Sequence, residues 1–222
     1  MSLPLYGKTA VVVGGTLGLG RAIALGLAEA GAAVVASSRS ESGVQEVAAE
    51  IETRGRRTLR VSCDVGNRAS LQHLCDAVTQ EFGGVDILVN AAGITRRIPT
   101  LDCTEAMWNA IMDVNLGGTL RGCQIFGRGM LERGHGRIIN IASMATFVAF
   151  HEVAAYGASK AAIGALTRSL AVEWAPQGVC VNAIAPGIFP TAHPILTLAP
   201  NAALNPPGSG CTPGAGGAGS SS

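Results

Sequence analysis

Tyr156 and Lys160 stand four residues apart in the run Tyr156-Gly157-Ala158-Ser159-Lys160. At that spacing on a helix the two side chains share one face, about one turn apart. The pairing has a chemical use. A phenol with an ordinary pKa of about 10 is a poor base near neutrality, and a neighbouring ammonium favours its ionised form. Lys160 is therefore read as tuning Tyr156 for general acid/base work. Ser143 follows a short apolar run, residues 137–141, that reads as a strand. Its hydroxyl falls at the carboxyl edge expected of a parallel sheet, where ligands bind, and can hold a carbonyl or alcohol oxygen.

A second pattern supplies a binding site. Gly14-Gly15-Thr16-Leu17-Gly18-Leu19-Gly20 lies between a β-rich run, residues 9–13, and a helical run, residues 18–30. Glycines there permit a tight turn and let backbone N–H groups approach a pyrophosphate at the helix N-terminus. At the end of the next strand, residues 33–37, a carboxylate would accept hydrogen bonds from an adenosine ribose; the sequence instead reads Ser37-Ser38-Arg39-Ser40. Arg39 with hydroxyls such as that of Ser38 suits a 2′-phosphate, which a carboxylate would repel. The expected cofactor is NADP(H) rather than NAD(H). A cationic nicotinamide would add to the pull on the phenol.

The elements that must position these residues alternate along the chain. Helices are expected over 44–54, 69–82, 104–131 and 156–174, and further strands over 58–62, 85–90 and 179–184. Short apolar strands separated by helices must be parallel and covered on both faces. The expected fold class is α/β: a Rossmann-type, doubly wound parallel sheet of six strands in the order 3-2-1-4-5-6, with three layers, α/β/α.

With 222 residues, 14% of them charged, and a net charge of +1, the chain suits one domain, residues 1–193, and offers no basic face for nucleic acid. After Glu173 no Lys, Arg, Asp or Glu occurs, and residues 194–222, rich in Ala, Pro, Gly and Ser, are expected to be a low-complexity tail without fixed structure. Six scattered cysteines and the absence of a signal-like start point to a cytoplasmic protein. Glycines and Arg21 argue against a membrane helix in the apolar stretch 10–36, and no metal motif is present.

The glycine turn, Asp64, Asn90-Ala91-Ala92-Gly93, Asn115, Ser143, Tyr156-Gly157-Ala158-Ser159-Lys160, Asn182 and Pro186-Gly187 occur in the order and spacing of the short-chain dehydrogenase/reductases. The chain resembles that family over residues 5–191. The resemblance implies that Ser143, Tyr156 and Lys160 form a catalytic triad, completed by Asn115, within the long helix, through a water that relays protons to Lys160. It also implies that Gly14, Thr16, Leu17, Gly18, Leu19 and Gly20 cradle the cofactor and that Asp64 and Val65 meet its adenine. Asn90, Ala91 and Gly93 would support it, and Pro186, Gly187, Ile188 and Thr191 would border the nicotinamide.

Three departures stand out. Val13 stands where the family usually has Thr, so a side-chain hydrogen bond that would steady the glycine turn is absent. Leu17 replaces a basic residue common among NADP-dependent members, leaving Arg39 as the phosphate ligand. After Pro186-Gly187 the family continues into a helical substrate lobe and a seventh edge strand that nothing here resembles, as in a truncated or frame-shifted reading. The implied activity is hydride transfer between the nicotinamide and a ketone or secondary alcohol. A sugar acid of the gluconate type is the first substrate expectation and a 3-oxoacyl-carrier-protein the second. A dinucleotide-binding protein with little turnover is the non-enzyme alternative. Phe147, Phe150 and His151 are expected near the pocket. A homodimer through helices 104–131 and 156–174 is expected.

Overall fold

The structure, a computed structural model, describes residues 3–188. The expected tail and Thr191 lie outside the described residues. Five short runs rich in Val, Ile and Ala form strands: β1 (Thr9–Val13), β2 (Ala33–Ser37), β3 (Ile87–Asn90), β4 (Gly136–Ile141) and β5 (Val179–Ile184). They pair in parallel in the order β2-β1-β3-β4-β5. Every residue of β1 and β3 is buried, which is why they read as continuous apolar runs instead of alternating ones.

Parallel neighbours need long crossovers, and helices supply them: α1 (Gly18–Glu29), α2 (Glu41–Thr53), α3 (Arg68–Phe82), α4 (Glu105–Met112), α5 (Gly118–Glu132) and α6 (Ala154–Trp174). Two apolar clusters result, one on each face of the sheet. Val11 and Val13 join Leu71, Leu74, Phe126, Met130 and Trp174 on one side; Ala10 and Val12 join Ala24, Ala28, Val47 and Ile51 on the other. Alternate residues of β1 thus feed opposite layers, as the period of two requires. Helix ends follow local chemistry. Asn67 caps α3 by accepting from the N–H groups of Ala69 and Ser70, and Gly83, at φ +82°, ends it in the left-handed region. No helix among the described residues is long and apolar enough to cross a membrane.

Two expectations are corrected. The six-strand order is not realised among the described residues, because the segment 58–62 forms no strand. It runs beside β2, anchored where Val34 N–H donates to the Arg57 carbonyl (3.0 Å) and Cys63 N–H to the Ser38 carbonyl (2.9 Å). Between these points the contact is made by a side chain, the Ser37 hydroxyl donating to the Val61 carbonyl (2.6 Å). The single helix expected over 104–131 is instead α4, a π-helical turn (Asp113–Gly117) and α5. The wider turn, with Gly118 N–H on the Asp113 carbonyl, carries Asn115 to a fully buried position.

β3 and β4 end on a polar pair inside the core. Asn90 and Asn140 are cross-strand partners, and the Asn90 side-chain amide donates to Asn140 Oδ1 (2.9 Å). Asn140 in turn donates to Thr167 Oγ1 (3.0 Å) on α6.

Candidate active site

A cleft of about 910 Å³ opens at the carboxyl ends of β1, β3, β4 and β5. Its floor is the glycine turn. Gly14, at φ +84°, passes so close to the β3 exit that a Cβ would meet Ala92 N at 2.5 Å, and a Cβ on Gly20 would meet the Gly14 carbonyl oxygen at 2.0 Å. Helix α1 then begins after Leu17 with no side-chain cap and no acidic residue in its first turn. Its first N–H groups are thus unclaimed by side chains at the cleft, an arrangement that fits a pyrophosphate. Thr16, Leu17, Leu19, Ser38, Arg39, Asp64, Val65, Ala91 and Gly93 border the same cleft, as do Pro186, Gly187 and Ile188. Gly18 belongs to the turn at φ +51° without lining the cleft, and Asn90 lies beneath it in the core pair with Asn140.

Ser143, Tyr156 and Lys160 close the other part of the cleft. Ser143 follows β4 in extended conformation, and its oxygen accepts from Ala145 N–H (3.1 Å). Tyr156 sits in the first turn of α6. Lys160, one turn on, is buried and donates from Nζ to the Ile141 carbonyl (2.6 Å), with Nζ 5.7 Å from the Tyr156 ring centroid. Asn115 stands behind this group: its amide donates to the Ile94 carbonyl (2.9 Å) and Ser159 Oγ (3.0 Å), and its oxygen accepts from Ile94 N–H (2.8 Å). A Cβ built on Gly93 would lie 3.4 Å from Asn115 Oδ1 and 3.6 Å from Lys160 Nζ, so both reach one small space.

A family model described as short chain dehydrogenase matches residues 8–195. The chain is a short-chain dehydrogenase. A 2-dehydro-3-deoxy-D-gluconate 5-dehydrogenase of Bacillus subtilis is 42% identical over 191 residues, covering 85% of this chain and 74% of the relative. A 3-oxoacyl-acyl-carrier-protein reductase of Vibrio cholerae is 41% identical over 187 residues, covering 84% of this chain and 75% of the relative. Among solved structures, a protein of Beutenbergia cavernae described as an NAD(P)-dependent gluconate 5-dehydrogenase, with NADP bound at low occupancy, superposes with a TM-score of 0.81 at 44% identity. That match covers 86% of this chain and 76% of the other. This short-chain dehydrogenase is an NAD(P)-dependent oxidoreductase acting on CH–OH groups.

Electrostatics in the dehydrogenase differ from the sequence expectation of a phenol lowered by its amine neighbour. Burial pushes the Tyr156 phenol above its ordinary value, and hydrogen bonding with Ser143 only partly offsets this. The reason is geometric: Lys160 Nζ points along the ring toward the Ile141 carbonyl, and burial lowers the amine itself to about 8. Between this value and the unfolded one, about 10.5, the unfolded chain holds more protons than the folded chain, so stability rises with pH. Relative to Lys160→Met, the native chain should gain on the order of 3 kcal/mol from below the lower value to above the upper one. Urea midpoints of both proteins across that pH window measure it; a constant difference would show an amine that is not desolvated.

Some site-side features of the dehydrogenase carry no sequence signal. The Arg97 guanidinium donates to Glu152 (2.8 Å) and lies 3.4 Å from His151 Nδ1, joining the segment after Gly93 to the segment before Tyr156. Glu152 holds φ +63°, the only non-glycine residue in that region among the described residues, at a cost of about 1 kcal/mol. His151 therefore belongs to this tie, while Phe147 is mostly exposed and borders a separate, smaller groove between α6 and β5.

Proposed function

We propose that this short-chain dehydrogenase uses NADP(H) to interconvert a ketone and a secondary alcohol on a sugar acid of the gluconate type. What supports the reading is that one continuous cleft takes in the glycine turn, Arg39, and the Ser143, Tyr156 and Lys160 group. When bound, the nicotinamide supplies the hydride chemistry. Ser143 orients the substrate oxygen, and Tyr156 gives it a proton on reduction or takes one on oxidation. A phenol raised by burial holds its proton at neutral pH, the form that gives a proton to the substrate oxygen on reduction. Lys160, anchored on the Ile141 carbonyl, keeps its amine 5.7 Å from the Tyr156 ring centroid.

The preference for NADP(H) rests on two groups. Ser38 Oγ accepts from Thr16 Oγ1 (2.7 Å) and from Ser40 N–H (3.2 Å), which leaves its own proton for an acceptor. Arg39 beside it forms no ion pair among the described residues and is free to meet a 2′-phosphate. Arg39→Ala should lower the ratio of kcat/KM for NADPH over NADH by about 10–100-fold, the value of a charge-assisted hydrogen bond. An unchanged ratio in coupled steady-state assays would remove Arg39 from the site.

The gluconate preference is supported by the relatives and is tested by NADPH oxidation with 5-ketogluconate against an acetoacetyl thioester. Faster turnover of the thioester would move the assignment to the 3-oxoacyl class, and cofactor-dependent stabilisation without turnover of either would favour a binding protein. A homodimer through helices α4 to α6 belongs to the same reading, supported by the exposure of Trp108 and Val172 on α4 and α6. A monomeric mass in solution would reject it.

A further inference from the structure

The first turn of α6 carries Tyr156, yet nothing caps it: Val153 precedes the helix and offers no side-chain hydrogen bond. One buried hydroxyl ties that turn down. Ser159 Oγ donates to the Tyr156 carbonyl (2.7 Å) and accepts from the Asn115 amide (3.0 Å), and Ser159 has no solvent exposure. A serine bonding back one turn is ordinary in helices, but the second bond, to another element, is not part of that habit. Asn115 spends its remaining capacity on Ile94, taking its N–H and giving to its carbonyl. A single hydroxyl therefore links the α6 first turn, the π turn and the strand exit that carries Gly93.

We propose that Ser159 is a positioning residue, acting through Asn115 and the Tyr156 carbonyl to hold the Tyr156 phenol against Ser143 and the cleft. The inference rests on the reading of Tyr156 as the proton-transfer group. Without the hydroxyl, the Asn115 amide loses a buried acceptor and the Tyr156 carbonyl a donor. The turn is then free to shift, and the phenol loses the enclosure that raises its pKa. A displacement of about 1 Å at a reacting group is enough to cost on the order of 100-fold in rate.

The chain contains two tyrosines, and Tyr6 is mostly exposed, so the full-length Tyr6→Phe protein has one phenol to read. Its titration is followed by NMR of ring-labelled tyrosine without cofactor, before and after adding Ser159→Ala. The expected result is a Tyr156 pKa moved down toward its ordinary value, with kcat at neutral pH lowered about 10–100-fold and KM changed far less. If Ser159→Ala does not fold, Ser159→Cys, with weaker hydrogen bonding in nearly the same volume, is read in the same way and should show a smaller shift in the same direction. A titration and a kcat that match the parent, with only thermal stability reduced, would overturn the proposal and leave Ser159 an ordinary core residue. A parent chain that turns over no carbonyl would count against the enzymatic reading alone, since the titration needs no substrate and still decides where Ser159 acts.

Discussion

Tyr156→Phe is expected to lower NADPH-dependent reduction of a ketone by about 10²–10⁴-fold, the usual contribution of a placed general acid. The change removes one oxygen and leaves the ring, so the contact with Lys160 and the enclosure of the site persist. Cofactor affinity, read by thermal shift or calorimetry with NADPH, should stay within about twofold, because the turn at Gly14 and the start of α1 are untouched. Ser143 cannot stand in for the missing acid, because an aliphatic hydroxyl is a far weaker acid than a phenol. Full activity in the Phe variant would show that the proton travels by another route.

A large effect on folding is expected from Gly14→Ala. A left-handed φ of +84° penalises any Cβ, by about 1–2 kcal/mol. The new atom would also lie 2.5 Å from Ala92 N and 2.7 Å from its Cα, both backbone at the end of β3 with no flexible tip to yield. Overpacking of this kind costs about 1–3 kcal/mol more. The turn and the β3 exit must separate, so urea midpoints should fall by an amount equivalent to roughly 2–5 kcal/mol, and NADPH should no longer stabilise the protein. A variant that keeps both properties would mean that the two backbones are less tightly apposed than described.

What could be read in the sequence was what short-range chemistry controls. The glycine turn, the Tyr156 and Lys160 spacing, and the strand runs at 9–13, 33–37 and 179–184 all depend on neighbours within a few residues, and the structure contains each at those positions. What could not be read depends on partners far along the chain. Residues 58–62 alternate as a strand would, but the segment bonds backbone to backbone with β2 and its exit only at its flanks, Arg57 and Cys63, with the Ser37 hydroxyl, 24 residues away, on the Val61 carbonyl between them. The π turn has no composition of its own. It is visible only once Asn115 meets Ile94 and Ser159, 21 and 44 residues distant. The direction of the Lys160 amine was likewise set by the Ile141 carbonyl, which no helical spacing reveals. The phenol was therefore expected to be lowered where the fold raises it.

The Asn90 and Asn140 pair bears on how faithfully the sheet assembles. Leu88 and Val89 face Ile138 and Ile139, and such interchangeable aliphatic side chains would tolerate a slip of two positions with the same faces inward. Such a slip would strand two amides in the core without partners, at about 1–3 kcal/mol each. It would also carry the end of β4, with Ser143 behind it, about 6–7 Å along the strand axis from Gly93. The two amides therefore act as a key that admits one alignment, so that a chain whose core is nearly indifferent to offset still delivers its reacting groups to a common point.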